Sequence, residues 1–128
     1  GENIAWINFT NPLSGSEVYT KTAEVFDEMG SSFDCLLSVS EVPDYLFYGG
    51  KSLNFRPNSL QKSQDLSGVC GITFVINILK IQDIVKWRSC VGHAPFSYRL
   101  SKFLSWDIDE QEDFKFCEMI HNRRYNEE

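Results

Sequence analysis

The spacing of apolar residues predicts a strand followed by a helix at the start of the chain. Residues 4–10 (IAWINFT) are rich in β-branched and aromatic side chains and end at Asn11-Pro12, which indicates a first strand and a turn. Apolar positions then recur at helical spacing, with Ser14 or Ser16 as the expected cap and Gly30 as the stop. The apolar stripe of this helix comprises Val18, Thr22, Val25, Phe26 and Met29.

The middle of the chain predicts β-structure and one long loop. Residues 33–42 fit either a short helix or a strand, and Pro43 ends the element in both cases. Two alternating runs around Gly49-Gly50 predict a hairpin, and the polar residues 56–68 are expected to form a mobile loop. Residues 69–81 (VCGITFVINILKI) alternate between two largely apolar faces, which predicts a central strand covered on both sides.

The last third of the chain predicts helices. One is expected at 83–90, a second is expected to begin at Pro95 with Phe96 and Leu100 on its apolar face, and a third runs from about Asp109 to Tyr125. The fold class that follows is α+β, with a small, mostly antiparallel sheet of about four strands packed against three to four helices as a single pair of layers. At 128 residues the chain suits one globular domain spanning 1–128.

Charge is distributed unevenly along the chain, which has a net charge of -6. Residues 1–50 carry eight acidic side chains and one basic one, residues 51–100 carry two acidic and seven basic, and residues 101–128 carry eight acidic and four basic. This distribution predicts an acidic surface from the two ends of the chain and a milder basic region from its middle. Nucleic acid is not expected to bind the acidic part, because binding to phosphates requires many Lys or Arg contacts.

Five acidic residues fall within seven positions just before the last predicted helix. They are Asp107, Asp109, Glu110, Glu112 and Asp113. Their spacing approaches that of a calcium loop, but Glu112 stands where such a loop needs glycine for its sharp turn. Asp109 as N-cap with Glu112 at the third helical position fits the start of a helix better, which leaves Asp107 and Asp113 as additional negative surface.

Cysteine and histidine residues offer one alternative chemistry. Cys90 and His93 are three residues apart and Cys117 and His121 are four apart, so the two pairs could supply zinc ligands for a structural module or a metal-dependent enzyme. The first pair lacks the usual Cys-x-x-Cys form, and Cys117 lies on a face that a core would also use. No catalytic motif surrounds any of these residues, so we expect a protein that is not an enzyme and needs no cofactor or metal.

Localisation is inferred from the cysteines and from hydropathy. Cys35, Cys70, Cys90 and Cys117 are spread through a chain that is long enough not to need disulfides, which favours reduced thiols and a cytoplasmic protein. The longest apolar run is far shorter than the roughly 20 residues of a membrane-spanning helix, so no membrane association is expected. The chain begins with Gly1-Glu2 and not Met, which is typical of a processed N-terminus or a tag remnant.

A small acidic chain without a catalytic motif is suited to docking on a basic protein surface. In size, charge and lack of chemistry it resembles the immunity proteins of bacterial toxin-immunity pairs, which bind a toxin domain and block it. The resemblance implies an antitoxin-type inhibitor of a basic toxin domain, with a nuclease among the candidate targets; an adaptor or subunit for another protein is the alternative. The residues expected to bind the partner are Glu17, Glu24, Asp27 and Glu28 of the first helix, together with Trp106, Asp107, Asp109, Glu110, Glu112 and Asp113.

Overall fold

The structure is a computed structural model that describes residues 1–66 and 68–126. In chain order its elements are β1 (Asn3–Trp6), α1 (Ser16–Glu28), β2 (Cys35–Glu41), β3 (Phe47–Tyr48), β4 (Lys51–Ser52), β5 (Cys70–Lys80), α2 (Ile81–Trp87), β6 (Pro95–Arg99) and α3 (Gln111–Asn126). A short 3-10 helix covers Ser63–Asp65 within the predicted loop. Ser67, which also falls in that loop, lies outside the described residues.

The four longer strands form one mixed sheet in the order β1-β5-β2-β6. β5 pairs antiparallel with both β1 and β2, whereas β2 and β6 run parallel. The α+β class and the four strands are therefore confirmed, and the central position predicted for residues 69–81 is correct for β5. The hairpin predicted around Gly49-Gly50 is also present, as the separate β3-β4 pair.

Helices cover both faces of the sheet, which corrects the expected single pair of layers. On one face, Leu36, Ile76 and Ile78 pack with residues of α1, among them Val18 and Phe26. On the other face, a second set is buried against α2: Cys35, Leu37, Val39 and Leu79 pack with Ile84 and Trp87. Both faces of the two central strands are apolar, so each face needs a covering element.

The prediction of a helix beginning at Pro95 is wrong, because residues 95–99 form the edge strand β6. Phe96 and Tyr98 pack on the α1 side of the sheet and alternate with the exposed Ser97 and Arg99. Proline is tolerated as the first residue of an edge strand, since no ladder hydrogen bond is needed from its nitrogen. The strand is aligned by Asp34, whose carboxylate accepts hydrogen bonds from the backbone of His93 at 2.9 Å and Ala94 at 3.1 Å.

The regular alternation expected along β5 is interrupted by a bulge. Between Leu37 and Val39 of β2, the paired position on β5 moves from Asn77 to Ile72. Within this bulge Phe74 has φ of 55°, which is uncommon for a residue other than glycine. Consequently Val75 and Ile76, neighbours in sequence, are both buried in the same cluster on the α1 side.

The start of α1 also differs in detail from the prediction. The helix begins at Ser16, with Gly15 in the N-cap position and no side-chain capping bond. The hydroxyl of Ser14, one of the two expected caps, instead donates to the carbonyl of Leu104 at 2.6 Å. This bond ties the start of α1 to the segment that leads into the acidic residues.

Candidate functional site

The acidic segment, defined as residues 107–113, is held in place by the loop that follows β1. The backbone N–H of Ile108 donates to the carbonyl of Thr10 at 2.8 Å. The amide of Asn11, which is buried, donates to the carbonyls of Ser105 at 3.2 Å and Trp106 at 3.3 Å. The segment therefore has a defined backbone position although most of its side chains are exposed.

Trp106 precedes the acidic segment and is half-buried. Its ring lies 4.4 Å from the ring of Phe116 on α3, centroid to centroid, and the ring of Phe103 stacks on the same Phe116. Its indole Nε1 donates to Asp113 Oδ1 at 3.2 Å. Trp106 thus contributes to packing between α3 and the preceding loop, and only part of its ring is available to a partner.

Asp113 provides the capping interaction that was expected from Asp109 and Glu112. Because α3 begins at Gln111, Asp113 occupies the third helical position, and its Oδ2 accepts from the backbone N–H groups of Asp109 at 3.1 Å and Glu110 at 3.0 Å. These backbone bonds, with a smaller contribution from the Trp106 indole, lower the pKa of the Asp113 carboxyl. The carboxylate at the third helical position is therefore one residue later in the chain than the spacing suggested.

The remaining four acids, Asp107, Asp109, Glu110 and Glu112, are exposed. The neighbouring carboxylate of Asp107 is the main cause of a raised pKa at Asp109, and Asp113 and Glu110 add to the effect. Like charges this close favour the protonated form. In the described part of the chain, the observed ion pairs join Lys21 to Glu17 and Arg99 to Glu41, so neither relieves this crowding.

A groove at the end of the sheet brings the acidic segment together with residues that sequence reasoning missed. This sheet-end groove has a volume of about 370 Å³ and is lined by Pro43, Asp44, Ile72, Trp106 and Asp107, among others. Glu41 and Asp44 are the missed acids. Glu41 ends a buried strand and Asp44 follows Pro43, a pattern that could have marked both as exposed.

The predicted acids of α1 do not form one continuous surface with the acidic segment. Glu17 pairs with Lys21 at 3.0 Å near the start of the helix, and Glu24 is exposed on the same side. Asp27 lines a different cavity, at the end of α1, together with Asp34 and Asp83. The cavity between α1 and the segment that follows β6 contains the cations Lys21, Arg99 and Arg124, which interrupts the negative surface.

The four candidate zinc ligands are not brought together. The Sγ of Cys90 lies 3.6 Å from the amide nitrogen of Asn77, and the His93 ring packs on Trp87. Cys117 is buried on α3, where the His121 ring contacts Tyr125. Across residues 1–66 and 68–126, no group of three or more His, Cys, Asp or Glu side chains could hold a metal ion.

No described helix has the length and hydropathy to span a bilayer. A scan against protein-family models finds no match for the chain, and a search of curated proteins finds no significant relative.

Proposed function

We propose that this chain is an inhibitor of the immunity-protein type, which binds a basic toxin domain through its acidic segment and thereby neutralises it. The observation that supports the proposal most directly is the exposed row of Asp107, Asp109, Glu110 and Glu112 on a backbone held by Thr10 and Asn11. The charge distribution and the small size of the chain are consistent with this role.

Crowded carboxylates favour binding to cations of another protein. The repulsion that Asp107 and Glu110 exert on Asp109 would be relieved by Lys or Arg side chains placed between them. Exposed charges of one sign also accelerate encounter with an oppositely charged surface, an effect that weakens as salt shortens the Debye length to about 8 Å near 0.15 M. Binding to the toxin domain should therefore weaken as salt increases.

The backbone of the acidic segment does not need to be ordered on binding. Ile108 is bonded to Thr10, and Asp113 closes the turn before α3 through two backbone N–H groups. A preorganised surface avoids part of the entropy cost of association. In this proposal Trp106 and Asp113 position the segment, and Asp107 and Asp109 make the ion pairs.

Two charge-reversed variants test which acids bind. D107K/D109K reverses two charges of the acidic segment before α3 begins. E24K/E28K reverses two exposed charges of α1, so the net charge of the chain changes by the same amount. Each variant is first shown by circular dichroism to be folded. Wild type and both variants then serve as baits in lysates of the native cells, and captured proteins are identified by mass spectrometry.

The decisive step uses each captured basic protein in living cells. The protein is expressed alone and then together with wild type or a variant, and growth is measured. We expect growth arrest that wild type relieves and D107K/D109K does not. If no captured protein arrests growth, the inhibitor function is wrong and an adaptor role is favoured. If both variants bind and rescue like wild type, the inhibitor function stands but its surface lies elsewhere.

A further inference from the structure

The β3-β4 hairpin lies outside the main sheet and exposes aromatic side chains. Phe47 is 66% exposed and Tyr48 79% exposed, at the end of β3 next to the two-glycine turn. Gly49 and Gly50 have φ of 57° and 79°, the left-handed values that a tight hairpin turn requires. The Tyr48 ring beside the turn is therefore apolar surface that a partner could cover.

Contacts within the hairpin and its flanking residues support its backbone. The side chain of Asn54 accepts from Leu46 N–H at 2.9 Å and donates to the carbonyl of Asp44 at 2.8 Å. The rings of Tyr45 and Phe47 both pack edge-on against Phe55, with centroids 5.4 and 5.3 Å away. Tyr48 is therefore presented on a supported scaffold, and little ordering is needed before it contacts another surface.

The hairpin and the segment that follows it carry basic side chains and no acidic ones. Residues 45–62 contain Lys51, Arg56 and Lys62 and no acidic residue. Tyr48 and Lys51 are direct cross-strand partners, so an aromatic ring and an ammonium group stand side by side at the tip. The hairpin tip, defined here as Tyr48–Lys51, therefore requires a site with an apolar wall and a nearby carboxylate.

The sheet-end groove has these properties. Its apolar wall includes Val42, Pro43, Ile72 and Trp106, and Asp44 and Asp107 lie along its rim. Glu41 is also in the groove but is paired with Arg99. Lys102 lines the groove as well, and among the described residues no ion pair is observed between it and Asp44 or Asp107. The two rim aspartates are thus available to Lys51 of another molecule.

We propose that two copies of this chain associate about a twofold axis, each placing its hairpin tip in the sheet-end groove of the other. The base of the hairpin adjoins the groove on one molecule, because Asp44 lines the groove, lies three residues before β3 and accepts a hydrogen bond from Asn54 through its carbonyl. In a twofold interface each copy contributes both halves of the contact. The basic, aromatic tip and the acidic, apolar groove occur on the same chain, and this complementarity supports a second copy as the occupant.

This association would cover Asp107 and part of Trp106. A chain within the dimer therefore could not present the whole acidic segment to a toxin domain, and self-association and toxin binding would compete. The dimer does not depend on the proposed function, since it rests on the hairpin tip and the groove. The variant Y48S separates the two, because Tyr48 lies outside the acidic segment.

Sedimentation equilibrium over a range of concentrations tests the dimer directly. At high concentration wild type is expected to reach twice the 14.8 kDa mass of one chain. K51E and D107K should each raise the dissociation constant of the dimer by about tenfold or more, because like charges then face each other at both contacts. Y48S should weaken it similarly, whereas the control K86E, on α2, should dimerise like wild type.

An equimolar mixture of K51E and D107K provides the sharpest test. In a mixed dimer one contact joins the glutamate introduced at position 51 to the lysine introduced at position 107, and the other keeps the native pair, so both contacts are attractive. We expect the mixture to recover wild-type dimerisation. A wild type that stays monomeric, single variants that dimerise normally, or a mixture that does not recover would each overturn the proposal. Binding of monomeric wild type, but not K51E, to phosphatidylserine vesicles would assign the tip to a membrane and overturn it as well.

Discussion

The indole Nε1 of Trp106 donates a hydrogen bond to the carboxylate of Asp113, seven residues later. The same carboxylate accepts the backbone N–H groups of Asp109 and Glu110. One side chain therefore joins the loop before the acidic segment to the start of α3 and sets the path of the residues between them. Trp106 and Asp113, which the sequence suggested as partner-binding residues, thus act together as the support of the segment.

Replacing Asp113 with alanine should lower the melting temperature, because two N–H groups at the start of α3 and the Trp106 indole lose their acceptor. E112A is the matched control, since Glu112 is exposed and its replacement removes the same charge one residue earlier. Thermal unfolding followed by circular dichroism measures both. Equal melting temperatures for D113A and E112A would contradict the role of Asp113.

The effect of D113A should also depend on pH with a definite sign. Hydrogen bonding lowers the pKa of Asp113 below its ordinary 3.8, so the folded chain binds this proton less readily than the unfolded chain. The stabilisation is complete above pH 3.8 and is lost as pH falls below that value. The difference between wild type and D113A should therefore be constant near neutral pH and shrink in acid. A difference that grew on acidification would contradict this sign.

The fully buried side chain of Ser38 accepts a hydrogen bond from the backbone at the bulge of β5. Its Oγ accepts from Ile76 N–H at 3.0 Å and lies 2.7 Å from the hydroxyl oxygen of Thr73. Replacing Ser38 with alanine leaves a buried N–H group without its acceptor, which costs about 1–3 kcal/mol of folding free energy. Denaturant unfolding of S38A measures this loss. S40A, at a half-buried position of the same strand, is the control and should change stability much less.

Alkylation should distinguish the four thiols in the folded chain. Burial raises the pKa of Cys35 to about 11, so at pH 8 its thiol is almost entirely protonated and unreactive. Cys117 is also buried, whereas Cys70 and Cys90 are partly accessible. With iodoacetamide, mass spectrometry should find Cys70 and Cys90 modified first, and Cys35 and Cys117 only after unfolding. Modification of Cys35 at the rate of Cys70 would show that the α2 side of the core opens readily.

Much of the fold could be predicted because local patterns and tertiary contacts agree. The stripe containing Val18 and Thr22 predicted α1, and both residues are buried on that helix. Gly49-Gly50 predicted the β3-β4 hairpin because only a few turn types need two successive positive φ values. The apolar run of β5 predicted a strand with neighbours on both sides, as observed.

Other elements could not be predicted because two local patterns competed. Residues 95–100 carry apolar side chains at both strand and helix spacing, and the parallel pairing with β2 and the backbone bonds to Asp34 select the strand. The bulge at Phe74 depends on the Ser38 hydroxyl, which is 38 residues from the N–H of Ile76 that it accepts. No pattern within a short window contains that information.

By itself, the sequence determined the α+β class, the existence of α1, the hairpin and the central strand, and the crowding of acidic residues before α3. Each of these depends on side-chain periodicity or charge over neighbouring positions. Only the tertiary structure decided that α1 and α2 cover opposite faces, that β6 is a strand, and that Asp113 supports the segment that Asp107 and Asp109 expose. It also placed Asp44 and Trp106 in the same sheet-end groove, because residues far apart in sequence share a surface only after strands pair and helices pack.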